Sequence, residues 1–470
     1  MPRKKFRRAI VWFRRDLRVD DNAALYEACL AADEVIPLFV LDQEILSLPD
    51  TGPARVVFLL DALAVLDKNL RKRGGRLVVR SGRAPDIIVH TAVELKADAV
   101  YFHTEYEPFG RLRDARTESE LKKLGKVVFI SSGLCWSEPG EILSQSGKPY
   151  TVFTPYKKVW FEAPHAEPIS RPEAMNMPHD IQGETVPSAA SLNVNTAQIF
   201  ECGGEDAATE LLNRFVENGV SGYAHQRDLL AKNGTSLLSR HLHFGTISVS
   251  KVVDRARRTA GSQVFLSEIA WRDFYFQILF HHPEVEHGAF RSALNNIAWE
   301  NDEDLFNAWC EGRTGYPIVD AAMRQLNQEA WMHNRARMIT ASFLTKDLLI
   351  NWQWGERYFM RKLVDGDLAA NNGGWQWSAG TGADAQPFFR IFNPIAQGEK
   401  FDPDGEYVRK YVPELKKLPN SVIHSPWKLS ALEQQACGCI LGKDYPFPLV
   451  DHKTQRLRAL SLYRAAGEQD

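Results

Sequence analysis

The feature that most constrains this chain is a change of rhythm near residue 205. From residue 9 to about residue 133, short β-branched runs at 10–13, 35–41, 76–80, 99–103 and 127–131 alternate with stretches of helical periodicity. Strands separated by helices return parallel to one another, so this part predicts a doubly wound parallel α/β sheet. Asp21, in Asp-Asp-Asn-Ala-Ala-Leu, is the candidate cap of its first helix. After about Glu205 the β runs vanish and the periodicity is helical, which predicts an all-α domain. Between them, residues 163–199 carry Pro164, Pro168, Pro172, Pro178 and Pro187 among Ser, Asn and Glu, and read as a linker. The expected division is 1–133 α/β, 134–204 connecting segment and 205–470 helical, and 470 residues suit two domains.

Composition narrows the class of protein. Hydrophobic residues at 44% and charged residues at 25% make a soluble globular balance. No run approaches the roughly 20 apolar residues of a membrane span, and the basic start leads into too short an apolar stretch for a signal peptide, so a cytoplasmic protein is expected. The six Cys, at 29, 135, 202, 310, 437 and 439, form no CxxC pair or His/Cys zinc spacing; free thiols and no metal site are expected. A net charge of -2 neither announces nor excludes a nucleic acid, because a local basic patch satisfies the same physics. No GxGxxG or Walker loop follows a strand. Ligands in doubly wound sheets lie beyond the carboxyl ends of strands, which makes Glu105-Tyr106-Glu107-Pro108-Phe109-Gly110-Arg111 a natural pocket edge.

The chemistry concentrates in the helical part. Eight of the twelve Trp lie between residues 271 and 377. Each indole N–H wants a partner, so this density favours a ring-binding or electron-carrying site over plain filler. In residues 264–280, Glu268, Trp271, Arg272 and Tyr275 share one stripe of a helix that is apolar around most of its remaining circumference. That carboxylate and guanidinium are either an internal ion pair or groups presented to a ligand beside an aromatic ring. A helix over 331–344 places Trp331, Asn334, Arg335 and Met338 on one side, and Asn334 offers both donors and an acceptor to a planar heterocycle. Tyr223 precedes Gly234-Thr235-Ser236-Leu237-Leu238-Ser239, a set of hydroxyls and backbone donors that suits a phosphate and equally a helix cap. Asp365-Gly366-Asp367 closes one helix and opens the next. Asn371-Asn372-Gly373-Gly374-Trp375-Gln376-Trp377 should stop a helix and bring two large rings to a close backbone approach.

These motifs, in this order and with Trp12-Phe13-Arg14-Arg15-Asp16-Leu17-Arg18 near the start, resemble the DNA photolyase/cryptochrome family over essentially the whole chain. The resemblance is closest to class I cyclobutane pyrimidine dimer photolyases. It implies a light-driven carbon–carbon lyase acting on UV-damaged DNA, with a folded FAD whose reduced anionic form is active. Tyr223, Thr235, Ser236, Leu237, Leu238 and Ser239 would hold its phosphates; Arg272, Arg337, Asp365, Asp367 and Asn371 would surround the rest, with Asn371 facing flavin N5. Trp375, Trp352 and Trp299 would form an electron-transfer chain. Glu268, Trp271, Arg272, Tyr275, Asn334, Met338 and Trp377 would receive the flipped-out dimer, with Glu268 and Asn334 in contact with it, and Arg335, Arg390 and Gln397 would hold DNA phosphates.

His333-Asn334, where (6-4) photolyases carry His-His, points to cyclobutane dimers. Asn371 fits repair better than signalling. A cryptochrome-like blue-light receptor and a DASH-type single-strand photolyase are the alternatives. Arg55, Phe109 and Gly110 are similar to residues that bind an antenna, for which 8-hydroxy-5-deazaflavin is preferred over FMN or methenyltetrahydrofolate. A monomer without membrane association is expected.

Overall fold

The computed structural model describes residues 4–164, 167–198, 200–201 and 203–467, so Ile199, at the end of the proline-rich stretch, and Cys202 lie outside the described residues. Internal contacts divide the chain into two compact units. One comprises Met1–Thr196, Glu201–Ala224 and Ser236–Pro283; the other comprises Ala197–Phe200, His225–Thr235 and Glu284–Asp470.

The first unit is built on a five-stranded sheet of β1 (Phe6–Phe13), β2 (Ala32–Asp42), β3 (Val78–Gly82), β4 (Ala99–His103) and β5 (Val127–Ser131), in the order β3-β2-β1-β4-β5. Every pairing is parallel. Residues 9–13 of the central strand are at most 1% exposed, and Ile10 lies opposite Ile36 on one side and Val100 on the other. A strand covered on both faces reads as a continuous apolar run, which is why the β signal was plain in the sequence. The crossovers are α1 (Ala23–Ala31), α2 (Pro53–Arg71), α3 (Ala84–Glu94) and α4 (Pro108–Lys123). The last three carry proline in their first two positions, where its missing N–H costs no helical hydrogen bond.

Two expectations change. The cap of α1 is Asn22, whose side chain accepts the Leu25 N–H at 2.9 Å. Asp21 has φ of +50° and its carboxylate accepts the Ile169 N–H at 2.7 Å instead, which orients it away from α1. The connecting segment 134–204 forms a strap along the sheet: it includes helix α5 (Phe153–Glu162), and within the stretch read as a linker the Val35 N–H donates to the Asn176 carbonyl at 2.8 Å and the Glu184 N–H to the Val79 carbonyl at 2.9 Å. Met177 and Ile181 enter the sheet's core at 6% and 4% exposure. Proline removes helical periodicity, but the edge strand β3 still offers unpaired backbone groups to an extended neighbour.

Past residue 205 every regular element among the described residues is helical. α6 (Glu205–Asn218) and α7 (Gln263–His281) group with the sheet, whereas α8 (Pro317–Glu329), α9 (Asn334–Ser342), α10 (Trp352–Lys362) and α11 (Leu368–Ala379) group in the second unit. The second unit's core joins Trp309, Met323, Leu326, Trp352, Phe359 and Trp375. Cys29, Cys135, Cys310, Cys437 and Cys439 are free thiols. No helix among the described residues is long and apolar enough to cross a membrane.

Candidate active site

In the first unit, α7 carries the predicted stripe. Glu268, Trp271, Arg272 and Tyr275 are partly exposed, while Phe265, Leu266, Ile269, Ala270, Phe274 and Phe276 are buried. Trp271 stacks on Phe153 of α5, with ring centroids 3.7 Å apart and planes within 12°. Arg272 donates to the Leu134 carbonyl at 2.7 Å and lies 4.8 Å over the Phe276 ring, so part of its donor set is fixed inside the unit. The deepest charge on this helix is Asp273, at 0% exposure. It accepts from the backbone N–H of Trp136 and Ser137 and from the Trp160 indole, all within 3.1 Å, and these bonds lock α7 to the strap. Burial raises its pKa against those bonds and Arg272. Burial likewise lifts nearby Glu138 to about 8.

Tyr223 is buried edge-on against Phe215 and Phe265. Leu237 has φ of +55°, and Ser236 Oγ accepts the Leu238 N–H at 3.4 Å, before a six-residue helix that starts at Ser239 without a side-chain cap. The first N–H groups of that short helix therefore have no side-chain cap. Thr235, half-buried, ends the neighbouring segment of the second unit.

In the second unit, α9 begins at Asn334, not at Trp331. His333 precedes it as the cap, its ring Nδ1 accepting the Arg335 N–H at 3.1 Å, and that ring stops the helix from extending backward. Burial pushes the His333 pKa down to about 4, so the imidazole remains the neutral acceptor that the cap requires. Asn334 is exposed, and Arg335, Arg337 and Met338 are half-buried. Arg335 is held by Asp228 at 2.9 Å and lies 4.4 Å over the Phe401 ring. Arg337 forms a forked pair with Asp365 at 2.8 and 3.0 Å and also donates to the Met332 carbonyl. Asp367 caps α11 by accepting the Ala370 N–H at 3.0 Å. Arg390 is exposed, and Gln397, on the helix Pro394–Phe401, is half-buried with its Oε1 unpartnered.

The Asn-Asn-Gly-Gly segment does not stop a helix: α11 runs unbroken from Leu368 to Ala379. Its asparagines are satisfied laterally rather than by a turn. Asn371 Nδ2 donates to the Glu356 carbonyl at 3.0 Å, and Asn372 Nδ2 to the Val285 carbonyl and Glu356 Oε1, both at 2.9 Å. The close approach is also located elsewhere than expected. A Cβ on Gly374 would meet nothing within 4 Å, whereas a Cβ on Gly355 of α10 would come within 2.1 Å of the Trp375 ring. Gly355 lets Trp375 enter the core at 2% exposure. Trp352, at 3%, shares that core and the partly buried Trp299 packs against it, while Trp377 stays half-buried. Trp375 meets Phe359 and Trp309 edge-on at 5.0 and 6.1 Å, and its buried Nε1 has no hydrogen-bond partner.

The crevice at the carboxyl ends of β1 and β4 is filled by the protein's own charges. Arg14 and Arg113 pair with Glu105 and Asp114 over the Trp12 ring, and Asp16 accepts from His103 at 2.8 Å. Burial would raise Glu105, but Arg113, Arg14 and Arg15 hold it at about 2. Gly110 is buried, and a Cβ there would press on the Glu105 carboxylate at 2.8 Å; Phe109 is exposed, and Arg55 donates to the Asp50 carbonyl.

Sequence reasoning missed Phe153, Asp273, Asp228, Glu356 and Gly355. An acid in the apolar circumference of α7 was a visible sign of Asp273; the others act across distant segments and leave no local pattern. Within the second unit, the donor chemistry fits an FAD: a guanidinium paired with a carboxylate, Arg337 with Asp365, and a half-buried Asn371.

Comparison with known proteins supplies a context for this geometry. The pattern of the FAD binding domain of DNA photolyase matches residues 265–465, and that of DNA photolyase matches residues 9–173. Deoxyribodipyrimidine photo-lyases are similar over nearly the whole chain: that of Agrobacterium fabrum at 42% identity, covering 97% of both chains, and that of Escherichia coli at 39%, covering 97% and 98%. Among solved structures, a bacterial class III photolyase from Agrobacterium tumefaciens is 40% identical, with a TM-score of 0.92 over 99% of both chains. An archaeal photolyase from Sulfolobus tokodaii with two FAD molecules is 34% identical, with a TM-score of 0.86 over 97% and 100% of the two chains. A cryptochrome from Synechocystis is 28% identical, with a TM-score of 0.90 over 98% and 100%.

Proposed function

Since this chain belongs to the DNA photolyase family and is an FAD-dependent enzyme of the deoxyribodipyrimidine photo-lyase kind, we propose that it splits cyclobutane pyrimidine dimers that have flipped out of DNA. The observation that carries this reading is the stripe on α7: a carboxyl group and two aromatic rings held half-exposed on a helix that is buried over most of its length and anchored through Asp273.

FAD, when bound in its reduced form, would supply the light-driven one-electron chemistry that opens the cyclobutane ring with no net redox change. The protein's residues do the rest. Trp271 and Trp377 pack against the extruded bases, and a dimer already disrupts stacking and pairing, so extrusion costs less there. Glu268, with Asn334, hydrogen-bonds the dimer and stabilises its radical anion by preorganised polarity. Met338 and Tyr275 exclude water. Arg335, Arg390, Gln397 and the remaining donors of Arg272 hold backbone phosphates, contacts that position DNA without reading its sequence. Tyr223 and residues 235–239 hold the cofactor's phosphates; Arg337, Asp365, Asp367 and Asn371 hold its flavin side. Trp375, Trp352 and Trp299 deliver electrons from the surface.

A second chromophore is proposed near Arg55, Phe109 and Gly110, with 8-hydroxy-5-deazaflavin preferred. The two FAD molecules of the Sulfolobus relative favour a flavin as its competitor. The reading as a class I enzyme competes with class III, the description of the Agrobacterium tumefaciens structure.

UV-irradiated oligothymidine mixed with reduced protein under blue light should regain absorbance in the thymine band, and no recovery would sink the repair reading. The cryptochrome likeness favours light sensing as the other outcome of that assay. Comparing duplex with single-stranded substrate separates a DASH-type preference.

A further inference from the structure

We infer that Phe153 is a positioning residue that sets the orientation of the Trp271 ring and thereby the discrimination of damaged from intact DNA. The inference rests on the reading that Trp271 packs against the lesion. Phe153 opens α5 and is 5% exposed. One side of its environment is core: its ring meets Phe274, itself 0% exposed, edge-on at 5.7 Å and 74°. Its face is given to Trp271, parallel within 12° at 3.7 Å. Trp271 is half-buried, and its other ring neighbours on α7 meet it at angles, Phe274 at 85° and Tyr275 at 34°. Phe153 is thus the flat surface to which the indole is parallel.

The consequence is preorganisation. An indole on a helix surface can rotate about two side-chain torsions, and a ligand that needs one orientation must immobilise it on binding. A ring clamped from behind by a buried phenyl group has lost that freedom before DNA arrives. The two rings come from segments more than a hundred residues apart, so nothing local in α7 supplies the same restraint. Freezing one such side chain corresponds to roughly a two- to tenfold effect on affinity, and it should fall on the lesion alone, because undamaged DNA leaves its bases in the stack.

The test is dark equilibrium binding, by fluorescence anisotropy, of a duplex with one thymine dimer and of the same duplex undamaged. Phe153→Leu keeps an apolar side chain and removes the flat face; Phe153→Met serves if Phe153→Leu melts early. Flavin absorbance and thermal melting check that each variant is intact. The expected result is lesion affinity weaker by about two- to tenfold, undamaged affinity unchanged, and recovery in Phe153→Tyr. In a Trp271→Ala background the Phe153 substitution should have no further effect. Unchanged lesion affinity in Phe153→Leu, or equal weakening on both duplexes, overturns the inference while leaving the lesion pocket in place. If Trp271→Ala itself leaves lesion affinity unchanged, the pocket reading fails and the inference falls with it.

Discussion

α7 and α11 both carry Trp among apolar residues, yet they treat Trp271 and Trp375 in opposite ways. α7 is tied down by Asp273, deep on its buried side, and holds Trp271 and Tyr275 half-exposed. α11 is tied along its flank by Asn371 and Asn372, and it drives Trp375 into the core against Gly355 while Trp377 stays half-buried. The same residue type keeps an accessible ring where a neighbour supports one face, as Phe153 does for Trp271, and becomes part of the core where neighbours enclose it, as they do Trp375. Side-chain identity sets what a ring can do; the residue opposite it sets which of those things it does.

The largest effect expected is in the proposed electron chain, which runs from the enclosed Trp375 and Trp352 to the partly buried Trp299. Trp299→Phe should all but abolish photoreduction of oxidised flavin by external reductant, with repair by chemically reduced enzyme intact; the opposite pattern, seen by flavin absorbance, would break the assignment of this chain to conduction. Next is pH. His333 has its pKa lowered by burial to about 4, from 6.5. The unfolded chain therefore takes up this proton first as pH falls, and stability drops between about 6.5 and 4, by about 3 kcal/mol in all. Urea unfolding of wild type and His333→Asn across that window should differ in slope, and parallel curves would remove His333 from the account.

Gly355→Ala places a methyl group inside the Trp375 ring. A stability loss of about 2 kcal/mol, read by thermal melting, is expected, with little change in lesion binding. A tolerated methyl would mean that α10 and α11 have slack between them. The smallest effect lies on the half-exposed stripe of α7: Glu268→Ala should keep FAD and the melting temperature while repair quantum yield drops on the order of tenfold. An unchanged yield would remove Glu268 from the mechanism.

Much of this was legible in the sequence, for reasons that can be named. The strands of the sheet were visible because both faces of a parallel strand are buried and its residues are uniformly apolar. The α7 stripe was visible because a helix buried on most of its surface leaves polar residues at a fixed spacing. The Asp367 cap followed from local hydrogen-bond chemistry. The errors were also physical. Asn-Asn-Gly-Gly has every local mark of a helix end, and tertiary partners for both asparagine side chains override it. A proline-rich strap has no periodicity, and its order comes from pairing with β3 and from Met177 and Ile181 in the core. The backbone of α9 starts three residues later than its apolar pattern because His333 spends its ring on a cap.

What the sequence determined by itself was the class of each half, the position of the polar stripe on α7 and the family to which the chain belongs, since each depends on residues close together or on motifs in a fixed order. Only the tertiary structure decided that Phe153 backs Trp271, that Gly355 admits Trp375, that Asp228 holds Arg335, and that the crevice beyond β1 and β4 is closed by its own ion pairs. Those contacts join segments tens to hundreds of residues apart. Their energies depend on distance and burial, which residue order specifies only through the folded chain.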